Sequence, residues 1–327
     1  MKARLFLASF LLLVNVSYIS AQSVKNIIVI PINFSSNTKS YKVGNLPSQM
    51  DLVNQFYKRN SYNQLSINYT VIPQITINHT TSICDYNSFI PEVDNIVNQS
   101  GYNIDSYDFP IYTWPSLSCG WAGITTYILI TSSGNQYKTR IFINADYSSK
   151  ILSHEIGHVL GIYHIGGYRC SVGKNGTAQC QVSSSADPYD IMGSGLGDFN
   201  IISRNRLNWV ESSLVCSDGV YQLDDINSPI GNRGLRIQVD NNQRKGFLFI
   251  ESRSGFSGLI FHFGTFPFLA NDYILDTTPL TGSWLDSNLI EGRSFTYSNL
   301  VRLDSVAGKN VNITFLTQPL GCSLNIN

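Results

Sequence analysis

The chain has 327 residues, of which 22 are basic and 22 acidic, so its formal net charge is zero. No basic run interrupts this balance, which argues against a nucleic-acid partner held through phosphate contacts. The length is about twice that of a common single domain, so two domains are expected. The sequence contains no internal repeat and no low-complexity tract.

The first 21 residues have the pattern of a secretory signal peptide. Lys2 and Arg4 give a basic start, residues 5–14 form an apolar run, and Ser20 and Ala21 provide a small-residue cleavage site. A membrane-spanning segment is the weaker alternative, because the apolar run is shorter than a bilayer span and polar residues follow it. We therefore expect a secreted, extracellular protein without a membrane span.

The predicted elements alternate between strands and helices over the first two thirds of the chain. They are, in chain order, strand 26–34, helix 48–59, strand 65–73, helix 91–98 and strands 107–114, 120–131 and 139–145. Each strand is rich in β-branched or aromatic residues, whereas the helices carry apolar residues at helical spacing. Strands that alternate with helices indicate an α+β (mixed α/β) layer fold for a first domain at 22–212.

The pattern changes beyond this domain. Short apolar or alternating runs are separated by Gly, Asn, Asp and Pro, for example at 234–239, 246–251 and 258–263. Such runs predict an all-β, sandwich-like second domain at 213–327.

Cysteine usage agrees with secretion, because an oxidising environment allows disulfides to form. The even number of cysteines indicates three bridges, although six cysteines permit fifteen pairings. Metal binding is the poorer alternative, since no pair has C-x-x-C spacing. Pairing of nearest neighbours along the chain predicts the bridges Cys84–Cys119, Cys170–Cys180 and Cys216–Cys322.

Acceptor sequons for N-linked glycans are also present, as expected of a secreted glycoprotein. Glycans are predicted on several of them, in surface loops. The candidates are Asn33, Asn68, Asn78, Asn98, Asn175 and Asn312.

A window that begins at His154 reads HEIGHVLGIYH and contains three of the five histidines of the chain. On a helix, His154 and His158 lie one turn apart and point to the same side. Gly161 can adopt the left-handed conformation that ends a helix, which brings His164 back towards them. Three imidazoles with an open fourth position are typical of catalytic zinc, and Glu155 is placed to accept a proton from water. Histidines on an ordinary helix are the alternative, which the third histidine at this spacing disfavours.

The same helix carries an apolar stripe on nearly the opposite side. Leu152, Ile156, Val159 and Leu160 recur at helical spacing and are offset from the histidine pair. The helix is therefore predicted to contact the core with one face and to line a cleft with the other.

A second motif follows at residues 187–195, which read DPYDIMGSG and contain Met192. H-E-x-x-H-x-x-G-x-x-H followed by a methionine turn marks the metzincin clan of zinc peptidases, which the chain resembles. Within that clan the wording DPYDIMGS of the second motif is similar to the gametolysin-like peptidases. The same similarity extends to CGWAG at 119–123, to NSYN at 60–63, and to LD at 275–276 followed by EG at 291–292. The similarity extends over nearly all of the chain beyond the signal segment.

This resemblance implies roles for individual residues. Met192 would form an apolar floor beneath the metal without binding it. Residues 120–126 would be the edge strand of a cleft, to which extended peptide substrates add as a further strand. Ser194 stands where some metzincins have a tyrosine that assists zinc. The stretch between His164 and Met192 is predicted to be a surface loop beside the cleft.

The sequence therefore predicts a secreted zinc metalloendopeptidase with a metzincin-like catalytic domain and a sandwich-like C-terminal domain. Its expected cofactor is Zn²⁺, and its expected partners are protein or peptide substrates, especially extracellular glycoproteins. Two alternatives are an exported binding or adhesion protein with an inactive peptidase fold, and a zinc hydrolase of a non-peptide amide.

Overall fold

The computed structural model describes residues 22–36, 41, 43–79, 84–130, 136–145, 147–172, 178–240, 245–266, 272–298 and 300–322. The predicted signal segment and the sequon at Asn175 lie outside these residues. Within these residues the chain is rich in strands and has few helices, which agrees with the predicted α+β class. None of the helices in the described ranges is long and apolar enough to cross a membrane.

Six strands of the described chain form a sheet in the amino-terminal half. The elements of this half are β1 (Ser23–Phe34), α1 (Leu46–Asn60), β2 (Leu65–Val71), β3 (Ile75–Ile77), α2 (Tyr86–Gln99), β4 (Phe109–Trp114), β5 (Gly123–Ile130), β6 (Gln136–Asn144) and α3 (Ser149–Val159). The strand order is β2-β1-β4-β6-β5, and β3 pairs with the end of β1. β5 lies at one edge, where it runs antiparallel to β6, and the other pairs are parallel.

Helices cover both faces of this sheet. α1 and α3 pack on one face, where Met50 and Ile156 share an apolar cluster with Ile27 of β1. α2 packs on the opposite face, where Val93 shares a cluster with Ile28. Successive side chains of a strand point to opposite faces, so the buried part of β1, at 27–32, requires apolar residues at successive positions. This requirement explains the continuous apolar run by which β1 is predicted from the sequence.

The remaining elements form two further sheets. They are β7 (Ile165–Val172), β8 (Ala178–Ser183), α4 (Ile201–Arg206), β9 (Ser213–Leu214), β10 (Gly219–Gln222), β11 (Leu235–Gln238), β12 (Lys245–Glu251), β13 (Ile260–Phe266), β14 (Asp272–Leu275), β15 (Ser294–Tyr297), β16 (Val301–Val306) and β17 (Asn310–Phe315). In the described residues, one sheet has the order β8-β7-β14-β13-β12-β11-β9 and the other β10-β17-β16-β15. Leu248 and Phe261 of the first sheet share a buried cluster with Leu303 and Ile313 of the second.

The stretch between His164 and Met192 was predicted to be a surface loop, and this prediction is wrong. Its residues form β7 and β8, two antiparallel strands, and β7 also pairs in parallel with β14. Gly166 and Gly167 give the segment the composition of a loop, but close packing requires a glycine here. A Cβ atom at Gly167 would lie 2.5 Å from the ring of Trp284.

The structure joins all six cysteines in the pairs that nearest neighbours along the chain predict. The disulfides are Cys84–Cys119, Cys170–Cys180 and Cys216–Cys322. The second one links directly opposed residues of β7 and β8. Three disulfides suggest an oxidising, extracellular environment.

The sequons lie mainly outside loops, contrary to their prediction. Asn33, Asn68, Asn98 and Asn312 fall within β1, β2, α2 and β17. An acceptor sequon specifies only local residue types, so it does not distinguish a strand or helix from a loop. Asn68, Asn78 and Asn98 are exposed, whereas Asn33 and Asn312 are partly buried.

The two predicted domains share a sheet in this structure, because β7 precedes residue 212 and its partner β14 follows it. We therefore expect residues 22–212, produced alone, to fail to fold cooperatively. The truncation removes the partner of β7 and leaves buried polar groups of the first part unpaired, at a cost of roughly 3–5 kcal/mol for a single buried ion pair. Circular dichroism during denaturant unfolding measures this, with the full chain as control. A sharp, cooperative transition of the fragment would contradict the expectation.

Candidate metal centre

The three histidines of the predicted site converge in the structure. His154 and His158 project from one side of α3, whose other side contributes Leu152 and Ile156 to the core. Gly161 follows the helix with a φ of +85°, a left-handed conformation that favours glycine. The chain turns back at this point and brings His164 to the exposed side of the helix.

The distances between ring nitrogens fit a single metal ion. The Nε2 atom of His164 lies 3.1 Å from Nε2 of His154 and 3.2 Å from Nε2 of His158. Nitrogens that bind one tetrahedral zinc ion at roughly 2.0–2.1 Å are about 3.3 Å apart. One ligand atom from each ring lies within 4.8 Å of the others. The set is therefore positioned to bind a metal ion.

Hydrogen bonds to the backbone orient two of the rings. His154 Nδ1 lies 2.8 Å from the carbonyl oxygen of Ile191, and His158 Nδ1 lies 2.8 Å from that of Ile162. A carbonyl oxygen only accepts, so each Nδ1 carries the proton and donates it. Each Nε2 is then left with a lone pair that faces the common centre, the arrangement seen around metal-bound histidines.

Burial favours the neutral form of these three rings. Burial lowers the pKa of His158 to about 4, although its hydrogen bond to Ile162 acts in the opposite direction. Burial is also the largest cause that lowers the pKa of His154 and of His164. Because only neutral imidazole binds a metal ion, the pKa shifts favour ligation.

Glu155 is buried between α3 and the edge strand β5. Its Oε2 atom accepts a hydrogen bond of 2.8 Å from the hydroxyl of Thr125, and the same hydroxyl lies 2.9 Å from the carbonyl oxygen of Glu155. Burial raises the pKa of the Glu155 carboxyl to about 7, and the Thr125 hydrogen bond opposes this shift. A carboxyl with a pKa near neutrality can both accept and return a proton at that pH.

Gly123 allows Glu155 to occupy this position. A Cβ atom added to Gly123 would lie 2.6 Å from Oε1 of the carboxylate. Oε1 therefore faces the backbone of β5 at a point where no side chain intervenes.

A cleft of about 350 Å³ lies over the three histidines. Its walls are β5 on one side and the end of α3 with the following turn on the other; they include Gly123, Ile124, Thr125, Tyr127, Glu155, Gly161, Ile162 and Tyr163. In the described part of the chain, β5 pairs only with β6. Of the edge strand predicted at 120–126, Gly123, Ile124 and Thr125 line the cleft, whereas residues 120–122 precede β5.

Met192 packs against α3 at Gly157, which lies between His154 and His158 in the sequence. It is fully buried, and a Cβ atom at Gly157 would lie 2.6 Å from its sulfur. The sulfur thus fills space below α3, while the carbonyl oxygen of Met192 accepts a hydrogen bond of 2.9 Å from the backbone N–H of Ile165. These contacts place Met192 against α3, and its role beneath a bound metal stays a prediction.

Two tyrosines near the motifs have different environments. The hydroxyl of Tyr189 donates a 2.5 Å hydrogen bond to the carbonyl oxygen of Leu285, so it points away from the histidines. Tyr163 lines the cleft and is 53% exposed. Ser194 contacts the backbone of Ala186 and Asp187 through its hydroxyl.

Sequence reasoning missed a buried ionic cluster behind the methionine turn. His262 Nε2 lies 2.8 Å from a carboxylate oxygen of Asp187, and the Nε atom of Arg253 donates a 2.5 Å hydrogen bond to Glu251. All four side chains are buried. Burial lowers the pKa of His262, but the hydrogen bond and charge of Asp187 outweigh it, so that the pKa is raised. The sequence did contain a signal for this cluster, namely His262 within the apolar run IFHF. A polar residue that is buried in such a run requires a partner.

Comparisons with known proteins give distant matches. No family model matches the chain, and no curated protein matches it. Among solved structures, it is similar to metalloproteinase-II from Bacteroides fragilis, with a TM-score of 0.35 and 16% identity over 57% of this chain and 54% of that one. A chain in the structure of a chaperone-substrate complex matches with a TM-score of 0.30 and 18% identity, over 44% of this chain and 24% of that one.

The chain thus spans about half and about a quarter of the lengths of these two proteins. Because both TM-scores are low, the functional conclusion depends on the site and not on the matches.

Proposed function

We propose that this protein is a secreted zinc-dependent endopeptidase that cleaves extracellular proteins. The observation that carries the proposal is the convergence of three Nε2 atoms beside a buried carboxylate, in a cleft whose wall is an edge strand. A site for a structural metal ion would have a closed set of four ligands. Here the described residues provide three ligands and open space in front of them.

The donor set fits zinc, which binds neutral imidazole and leaves the fourth position open in catalytic sites. Bound at His154, His158 and His164, zinc would supply Lewis-acid chemistry, which activates water and polarises a carbonyl group. The three Nε2 lone pairs would hold the metal, and the Nδ1 hydrogen bonds of His154 and His158 would keep their rings from rotating.

Glu155 acts as the general base in this proposal. Its carboxylate accepts a proton at Oε1 from the attacking water, which adds to the carbonyl carbon of the substrate. The proton then passes from Oε1 to the amine nitrogen as the C–N bond breaks, which yields a carboxylic acid and an amine. The acid then gives up its remaining proton, so that the products leave as a carboxylate and an ammonium group. The Thr125 hydroxyl holds the other oxygen, Oε2, in place throughout.

β5 is the proposed binding site for the substrate backbone. An edge strand presents unpaired N–H and C=O groups, so an extended peptide can pair with it as an additional strand. A peptide held beside Thr125 and Gly123 would pass Glu155 and the three histidines. This arrangement suits a cut within a chain, and it favours proteins over small amides as substrates.

Secretion is supported by the three disulfides and by the predicted signal segment. The alternative of an inactive adhesion protein is disfavoured because the three histidines converge and Glu155 lines the same cleft. Hydrolysis of casein by the purified protein tests the proposal: chelation should abolish hydrolysis, and added zinc should restore it. A chelated protein that digests casein at an unchanged rate would rule out the metal-dependent reaction.

Zinc should also stabilise the folded protein, because the unfolded chain does not hold the three histidines together. With free zinc at about 100 times its dissociation constant, mass action stabilises the fold by about 2.7 kcal/mol, or roughly 5 °C in Tm. Differential scanning calorimetry of the metal-free protein with increasing zinc measures this shift, and magnesium serves as the control ion. An unchanged Tm at saturating zinc would be inconsistent with the site.

A further inference from the structure

The turn at residues 187–195, here called the methionine turn, makes hydrogen bonds to the ring of His154 and to the backbone next to His164. The carbonyl oxygen of Ile191 accepts the hydrogen bond from His154 Nδ1. The carbonyl oxygen of Met192 accepts the hydrogen bond from the N–H of Ile165, the residue directly after His164. A displacement of the methionine turn would therefore move two of the three ligands.

Asp187 fixes the start of this turn. One carboxylate oxygen accepts a 2.8 Å hydrogen bond from the N–H of Tyr189, and the backbone oxygen of Asp187 accepts one from the N–H of Ser194. The other carboxylate oxygen lies 2.8 Å from Nε2 of His262, which belongs to β13. Asp187 and His262 are both fully buried, so water does not replace either partner.

Arg253, which lies two residues beyond the end of β12, makes a second contact that holds the middle of the turn. The guanidinium of Arg253 donates a 2.5 Å hydrogen bond to the carbonyl oxygen of Tyr189 and another of 3.0 Å to that of Asp198. Glu251, at the end of β12, pairs with Arg253 and accepts a hydrogen bond from the N–H of Ile201. The part of the chain after residue 212, here called the C-terminal β region, thus contributes charged side chains that contact the turn directly.

We infer that His262 is a positioning residue of the metal site, acting through Asp187 and the methionine turn on His154 and His164. The C-terminal β region would then determine how tightly His154, His158 and His164 bind a metal ion, and would not serve only as an independent scaffold. This inference rests on the proposed function, because it assumes that the three histidines bind zinc. Residues that orient metal ligands typically change metal affinity about 10–100-fold when they are replaced.

The test compares the zinc dissociation constants of three variants with that of the wild-type protein, by chelator competition. His262→Leu should weaken zinc binding about tenfold, the lower end of that range, since His262 acts through an intermediate residue. His262→Gln should bind zinc nearly as the wild type does, because the glutamine amide still donates to Asp187. Phe261→Leu is the matched control: it alters the same strand at a fully buried site in the cluster opposite the turn.

Equal zinc affinity of folded His262→Leu and Phe261→Leu would overturn the inference and leave the proposed function intact. Wild-type protein that binds no zinc would overturn both. Should His262→Leu fail to fold, hydrogen exchange of the wild type decides the matter, because linkage between two sites is reciprocal. Zinc should then slow amide exchange in β13 more than in β16, and equal protection of the two strands would overturn the inference.

Discussion

Glu155→Gln is expected to bind zinc as tightly as the wild type and to lose nearly all turnover. The amide keeps the shape of the side chain and still accepts the hydrogen bond of Thr125, but it cannot take a proton from water. Loss of general base catalysis should reduce kcat/KM about 10²–10⁴-fold. Hydrolysis of a fluorogenic peptide measures the rate, and metal analysis of the same sample measures zinc.

The stability of this variant provides a further check. Burial raises the pKa of Glu155, so the fold disfavours its ionised form, and a neutral amide should not lower the Tm of the metal-free protein above neutral pH. Glu291→Gln, at an exposed position, is the matched control and should retain full activity. If Glu155→Gln digested peptides at the wild-type rate, Glu155 would not be the base.

His158→Ala should abolish both zinc binding and activity. Removal of one of three ligands leaves two imidazoles, which is too few for a stable zinc site. The affinity should fall by more than the roughly 100-fold that loss of a ligand-orienting partner can cost. Isothermal titration with zinc measures the affinity, and a protease assay at saturating zinc measures the activity.

His79→Gln is the matched control for this variant, because the ring of His79 packs against Phe34 and Phe89 rather than beside the other histidines. It should bind one zinc ion and remain active. Zinc binding by His158→Ala with wild-type affinity would show that the metal is held elsewhere in the chain.

The metal site could be predicted because its ligands are local in sequence. His154, His158 and His164 lie within one helix and the turn after it, so helical geometry and the freedom of Gly161 determine their arrangement. The position of Glu155 follows from the same helix. Its partner Thr125 falls within the predicted edge strand, but the hydrogen bond between them depends on how the sheet meets α3.

Most elements of the amino-terminal sheet were predictable for a related reason, although the short strand β3 was not predicted. Strands that are buried on both faces are continuously apolar, and helices that cover them carry a clear apolar stripe. β1 and α1 therefore extend only a few residues beyond their predicted limits of 26–34 and 48–59.

The parts that the sequence did not predict depend on contacts between distant residues. β7 was missed because its two glycines are residues typical of loops. The reason that glycine is needed there is close packing against Trp284 and Tyr273, which lie about a hundred positions away along the chain. The pairing of His262 with Asp187 likewise joins residues that are 75 positions apart. Single-sequence patterns report periodicity and local propensity, and neither one specifies such a pair.

The most direct test of the central claim is the metal content of the wild-type protein, purified from a secreting host without added metal, together with the X-ray absorption spectrum at the zinc edge. We predict one zinc ion per chain with three nitrogen ligands from imidazoles at about 2.0–2.1 Å. Protein that contains no zinc, or zinc bound mainly by sulfur, would contradict the account.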